Sequence, residues 1–237
     1  MTGPLHSNGQ LEYKLRNLGA DVHVLPMIEV VPLDVKEELI AEINHMSDMA
    51  YLVFTSKNGV NLFFEQLAIM KKDARIMWNT KVVAIGPSTS EALKNNGIVA
   101  DFMPYNYNTQ SLINEWIPQV QIDEKVLILR AEKATNEFTE HLQEKGLYYK
   151  EIKMYRTIFK PQQEVEKLTK EHILVCFTSA STVESFMQNK PDTSCVLGVC
   201  IGQKTGEAAR RYGLQYVVSK QASIESMVEK MKEIVAC

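Results

Sequence analysis

The sequence predicts an α/β fold built from two doubly wound, parallel-sheet domains, one inserted in the other. Three observations carry this. Short apolar runs rich in β-branched residues alternate with helix-period segments along the chain. One strand-to-helix corner is written twice, as FTSKNGV at 54–60 and as FTSASTV at 177–183. A second corner follows each copy in the same order, IGPSTSEALKNNGI at 85–98 and IGQKTGEAARRYGL at 201–214. One such match is within chance; two in the same order point to duplicated domains.

Taken in order, a helical period over 8–18 runs into a Gly19 stop, and an extended segment follows over 21–30. YLVF marks a strand at 51–56, followed by a helix over 58–70. KVVAIG marks a strand at 81–86, followed by a helix at 88–96 and a short strand at 99–103. A helix at 109–116 leads to KVLIL in a strand at 125–130, then to a helix at 134–145 that stops at Gly146. The run 147–158 is extended. ILVCF sits in a strand at 173–179, with a helix at 181–188. Strands at 195–201 and 215–219 flank a helix at 204–212, and a helix covers 223–235. A third, weaker repeat pairs LRNLGADVHVLPMIEV (15–30) with LQEKGLYYKEIKMYRT (142–157).

The order of these blocks sets the expected domains. The repeated corners occupy 51–104 and 173–219, with 125–158 between them. Residues 1–28 and 160–237 then form a discontinuous domain, and 32–154 form the inserted one, with linkers near 28–32 and 154–160. Two crossings imply a two-stranded hinge beside a cleft. Gly146 lies sixteen residues after Arg130, and Gly19 lies sixteen after Gly3. The counterpart of KVLIL therefore falls before Met1, and the first domain's sheet is expected to lack most of a central strand.

Composition excludes several function classes. A net charge of −3 and a pI near 6.0 argue against a protein that works on the nucleic-acid backbone. No apolar run approaches the ~18 residues of a membrane helix, and the N-terminus reads as no signal peptide. Cys176 and Cys200 lie in apolar runs and read as buried strand residues; with Cys195 and Cys237 they form no zinc spacing. Reduced thiols suggest a cytoplasmic protein. No G-x-S-x-G, G-x-G-x-x-G or Walker loop is present, and the five histidines are scattered.

In open parallel sheets ligands bind beyond the carboxyl ends of the strands. The corners of the two copies fall there, where free backbone N–H groups and the helix dipole favour anions. Thr55, Ser56, Thr89, Thr178, Ser179 and Thr205 stand at these corners. Each alone reads first as a helix cap. Their recurrence at equivalent corners favours a ligand role as well.

At these residues the sequence resembles the uroporphyrinogen-III synthase family. The resemblance rests on FTSKNGV, AIGPSTSEALKNNGI, KVLILRAEK, KMYRT, FTSAST, CIGQKTGEAARRYGL and SIESMVEKM, in the family's order over nearly the whole chain. It implies two flavodoxin-like domains joined by a two-stranded linker. It also implies closure of linear hydroxymethylbilane to uroporphyrinogen III, with inversion of the last pyrrole ring through a spiro intermediate. No metal and no cofactor are expected. The expected partners are the tetrapyrrole substrate and a transient contact with the preceding hydroxymethylbilane synthase, with no nucleic acid and no membrane, on a monomer.

Tyr155 in KMYRT matches the family's tyrosine beside the linker and is the candidate general acid. A phenol titrates near ~10 and remains a proton donor at neutral pH. The bland alternative is a tyrosine packed in a linker strand. Thr55, Ser56, Gly86, Thr89, Thr178, Ser179, Gly202 and Thr205 would hold the substrate's carboxylates, with Lys57, Arg130 and Lys204 adding charge. One departure stands out: Gly3 follows Thr2 where the family often has arginine. Two rival readings remain, a cytosolic two-domain hinged module that binds a small anion, and a nucleotide-sugar transferase. The transferase is disfavoured by the short chain and the lack of a basic diphosphate motif.

Overall fold

The computed structural model describes residues 2, 5–162, 164–169 and 172–235, with the backbone alone for 5–8; Gly3 and Cys237 lie outside the described residues. The chain divides into two compact units, Met1–Val30 with Thr157–Cys237, and Val31–Arg156.

The second unit begins within strand β1 (Ile28–Pro32) and continues through helix α2 (Lys36–Asn44), β2 (Tyr51–Phe54), α3 (Lys57–Ile69), β3 (Lys81–Ala84), α4 (Pro87–Asn95), α5 (Thr109–Glu115), β4 (Val126–Ala131) and α6 (Glu137–Glu144). It ends within β5 (Tyr149–Phe159). The sheet order is β1-β5-β4-β2-β3, and β3, β2, β4 and β5 pair in parallel. Both faces of the central strands are covered, so these strands are apolar throughout rather than alternating. Tyr51, Val53, Val126 and Ile128 pack against Leu112 and Trp116 from the α5 segment and Phe138 and Leu142 of α6. On the other face Phe54 meets Phe63 of α3 edge-on, with ring centroids 5.5 Å apart.

The first unit holds α1 (Leu5–Arg16), α7 (Val165–Leu168), β6 (Ile173–Phe177), α8 (Ala180–Gln188), β7 (Val196–Cys200), α9 (Gln203–Arg211), β8 (Tyr216–Val218) and α10 (Ile224–Val235). Among the described residues its sheet has three parallel strands, β6-β7-β8. Val175, Phe177, Val196 and Cys200 pack with Val183, Phe186, Ala208 and Ala209 of α8 and α9. Cys176 and Val199 pack with Leu11 and Leu15 of α1 and with Met227 and Val228 of α10. The layers confirm the doubly wound α/β reading. Cys176 and Cys200 are buried as expected, and burial pushes each thiol up to about 11.

Three elements differ from expectation. The strand placed at 21–30 appears only at 28–32; within 21–27, among the described residues, the backbone–backbone bonds are those of Met27, whose N–H donates to Thr2 O and whose carbonyl accepts from Lys160 N–H. The strand at 99–103 reduces to a single bridge, Val83 to Phe102. Helix α2 was not foreseen: its N-cap, Val35, makes no side-chain cap hydrogen bond, so the usual start signal is missing. The two helix stops were legible. Gly19 (φ 82°) and Gly146 (φ 72°) take the left-handed conformation that ends α1 and α6 at equivalent points of the repeat.

Gly206 shows why glycine is needed in α9. A Cβ there would lie 2.8 Å from both Tyr216 Cε2 and Val218 Cγ2 of β8. Gly206→Ala is expected to destabilise the protein by about 1–3 kcal/mol through overpacking. Chemical denaturation followed by circular dichroism checks this; an unchanged midpoint would mean that α9 shifts at no cost.

Candidate active site

The parallel register brings the expected corners of the second unit to one edge. Phe54 sits opposite both Ala84 and Leu129, so β2 and β3 end at the same level and β4 runs on beside them to Ala131. Thr55 continues the ladder: its N–H and its Oγ1 both approach the Leu129 carbonyl at 3.4 Å. Ser56 turns from extended backbone (φ −164°, ψ 154°) into α3, and its Oγ accepts from Gly59 N–H at 3.1 Å. Gly86 is the N-cap of α4, and Thr89 is buried in that helix's first turn.

Tyr155 reaches this corner through an irregularity in β5. Arg130 pairs with Lys153, but Ala131 pairs with Tyr155, so Met154 is an extra residue. A bulge of this kind re-aims the following side chain. The buried Tyr155 hydroxyl donates to Ser56 Oγ at 2.8 Å. A serine hydroxyl has two acceptor positions and one proton. Tyr155 O–H and Gly59 N–H fill both acceptor positions, so Ser56 can offer a further group only its proton. The corner therefore presents a donor backed by a second donor.

Charge around the corner follows the same sense. Lys57 opens α3; burial lowers its ammonium pKa, with Glu91 acting in opposition. None of the four helices that open at the repeated corners carries an acid in its first turn. By contrast, α2 carries Glu37 and Glu38 there, and α6 carries Glu137 and Glu140. The corner dipoles are thus left uncompensated by side chains and suit anionic groups.

Arg130 is placed differently from a ligand for carboxylates. It is 2% exposed, its Nε lies 3.3 Å from Glu151 Oε1, and its Nη2 donates to the Thr135 carbonyl. It ties the loop after β4 to the sheet. Two contributors were not foreseen. Glu151 sits on β5 one residue before Ile152, and only the strand pairing reveals it as the partner of Arg130. Tyr107, at φ 51°, lays its side chain over Gly86, where an added Cβ would lie 3.1 Å from Tyr107 Cβ.

The first unit repeats the corner without the phenol. Ser179 caps α8 in a reciprocal arrangement with Thr182, and its Oγ meets Ser181 Oγ at 2.9 Å. Gly202 caps α9, Thr205 is buried in its first turn, and Lys204 is exposed. Thr178 is half-buried beside Ser179. The third repeat places Ile28 where the other copy has Tyr155. Among the described residues no group of three or more His, Cys, Asp or Glu could hold a metal ion.

The family model for Uroporphyrinogen-III synthase HemD matches residues 9–229. The chain belongs to the uroporphyrinogen-III synthase family. The porphyrin biosynthesis protein HemD of Ruminiclostridium josui is 37% identical over 240 residues, which is 99% of this chain and 48% of that protein. The chain thus spans about half the length of that relative. A uroporphyrinogen-III synthase of Synechococcus elongatus is 28% identical over 74% of this chain and 67% of its own. Two solved structures share the fold. One, a uroporphyrinogen III synthase from Thermus thermophilus, has a TM-score of 0.68 at 17% identity over 98% of this chain and 96% of its own. The other, from Helicobacter pylori, has a TM-score of 0.65 at 21% identity over 91% and 94%.

Proposed function

We propose that this chain closes hydroxymethylbilane to uroporphyrinogen III, inverting the last pyrrole ring with loss of water. Membership of the family over 9–229 supports the reaction. The observation that carries the mechanism is the hydrogen bond from Tyr155 to Ser56 at 2.8 Å.

The reaction needs little covalent chemistry from the protein. A proton delivered to the hydroxymethyl oxygen lets it depart as water, while a pyrrole nitrogen lone pair supplies the electrons and leaves an azafulvene. The substituted carbon of the terminal ring attacks that carbon to give the spiro intermediate. One bond of the intermediate breaks, the freed ring turns and recloses, and the ring proton is lost to the conjugate base of the donor, which restores the donor. Catalysis by positioning plus one proton donor is sufficient.

Ser56 delivers the proton and Tyr155 replaces it along their hydrogen bond. Thr55, Lys57, Gly86 and Thr89 hold the substrate's acetate and propionate groups beside that donor. Thr178, Ser179, Gly202, Lys204 and Thr205 form the corresponding corner of the other unit, equipped for the same anionic groups. Arg130 acts behind the corner by fixing the loop after β4. We place the enzyme in the cytoplasm, in transient contact with the synthase that releases the unstable linear substrate. No helix among the described residues is long and apolar enough to cross a membrane.

A coupled assay tests the reading. Porphobilinogen and its deaminase generate hydroxymethylbilane in place, and the products are oxidised and separated by chromatography. Type III isomer in excess over type I is the expected result. Type I alone, at the rate seen without this protein, would overturn the proposal.

A further inference from the structure

The loop after the Val83–Phe102 bridge reads MPYNYN over 103–108 and leaves the second unit's sheet beside β3. Phe102 packs on the core of this unit, and Pro104 is buried. Tyr105 N–H donates to Glu115 Oε2 at 2.9 Å. Asn108 Oδ1 accepts from Ser111 N–H at 2.8 Å and so caps α5, while Asn108 Nδ2 donates to the Asn106 carbonyl at 3.2 Å. The loop is therefore tied down on both sides of Tyr107.

Tyr107 is held there at a cost. Its φ of 51° lies in the left-handed region, which asparagine enters far more readily than an aromatic residue. Asparagines stand on either side, at 106 and 108, yet the left-handed turn falls on the tyrosine. Outliers of this kind gather where a side chain has to be aimed. The root of the side chain lies against Gly86: a Cβ added to Gly86 would meet Tyr107 Cβ at 3.1 Å and Cγ at 3.6 Å. Gly86 itself has φ −175° and ψ −179°, an extended conformation open to any residue. What glycine supplies at 86 is room for Tyr107. Even so, Tyr107 is 49% exposed, so this packing leaves much of the ring facing solvent.

The ring borders the groups assigned above to the substrate. Phe54 pairs with Ala84, and Ser56 and Gly86 each follow two residues later, so they leave neighbouring strands, about 4.8 Å apart, at the same level. Tyr155 reaches Ser56 from the β4 side of this corner, and Tyr107 borders it on the β3 side. Resting on the proposed reaction, we propose that Tyr107 holds one pyrrole ring of the substrate in an offset face-to-face stack, with that ring's acetate or propionate at the Ser56–Gly86 corner. Each substrate ring is flat and carries carboxylate arms, so an aromatic face beside a donor corner matches both parts of one ring. Fixing the plane of one ring restricts how the linear chain coils before it closes, the step that separates type III from type I product.

Two measurements test this. In the first, porphobilinogen, a single pyrrole with acetate and propionate arms, is titrated into the whole chain carrying ring-labelled tyrosine. The Tyr107 signal is identified by its loss in Tyr107→Phe. A saturable upfield shift of that signal is expected, as a stacked ring produces, and propionate alone should not cause it. No upfield shift, or an equal one with propionate, would overturn the proposal. In the second, KM is measured in the coupled assay. Tyr107→Leu should raise KM by about tenfold, the upper end for an aromatic pair, with kcat little changed. Tyr107→Phe keeps the face and should behave as the native chain does. Tyr107→Gly removes the strained φ, so its melting temperature should hold or rise while its KM rises as in Tyr107→Leu. Tyr105→Leu, at an equally aromatic and more exposed position of the same loop, should change neither value. Unchanged KM in Tyr107→Leu, or a KM rise accompanied by lost stability in both the Leu and Gly variants, would reduce Tyr107 to a cover for Gly86. Type I product alone from the native chain, with the porphobilinogen shift intact, would overturn the proposed reaction and leave the pyrrole site standing.

Discussion

Replacing Arg130 by methionine is expected to destabilise the protein by about 3 kcal/mol, the lower end for breaking a buried ion pair. The side chain of Arg130 is 3% exposed and that of Glu151 is 19% exposed. Removing the guanidinium leaves the Glu151 carboxylate poorly hydrated and without its cation, and the Thr135 carbonyl loses a charged donor. In a protein of this size the melting temperature should fall by on the order of 10 °C. The companion change separates pairing from packing. Arg130→Met with Glu151→Met removes both charges, and such apolar replacement is often close to neutral. Most of the lost stability should return in the double variant, read by denaturant midpoints under identical conditions. A double variant no more stable than Arg130→Met alone would mean that the cost lay in lost packing. The same pair of variants bears on function. If Arg130 only holds the 132–136 loop, activity should recover along with stability; if it contacts substrate, stability returns and activity does not.

How much of this could be read from the sequence depends on how local the cause is. The corners were legible because helix capping acts over three or four residues. Ser56 and Ser179 announce α3 and α8 by their own chemistry. Gly19 and Gly146 announce the helix stops for the same reason. Helix α2 was missed because Val35 supplies no such signal and burial of Leu39 and Ile43 stabilises the helix instead. The segment 21–27 was read as a strand on its composition. Strand formation needs a neighbour paired along its length, and among the described residues of this segment Met27 alone shows such backbone bonds, to Thr2 and Lys160. Within the site, Tyr155 and Ser56 were each named, but their contact was not. It depends on one extra residue in β5, and a register shift leaves no mark in composition. Arg130 was read as a ligand for carboxylates because it ends a strand where ligands gather. Its partner Glu151 lies on the next strand of the sheet, so only tertiary pairing shows that it is turned inward.

Tyr155→Phe is expected to lower the turnover of hydroxymethylbilane to uroporphyrinogen III by about 100-fold, the lower end for loss of a positioned proton donor. The phenyl ring retains the packing of the buried tyrosine, so the cost in stability should be only about 1 kcal/mol, from one unmet hydrogen bond. In the variant Ser56 Oγ still accepts from Gly59 N–H, and its other acceptor position is left open. It can then reorient, and it has no donor behind it to replace a delivered proton. Ser56→Ala should fall at least as far, because it removes the group that meets the leaving oxygen and part of the cap on α3. The double variant Ser56→Ala with Tyr155→Phe should be little slower than Ser56→Ala alone, since residues acting as a unit are strongly non-additive. Multiplied losses in the double variant would separate the two side chains into independent roles. Unchanged turnover in Tyr155→Phe, measured in the coupled assay with type III isomer resolved from type I, would remove the phenol from the mechanism. Ser56 and the backbone donors of α3 would then be left to assist the departure of water.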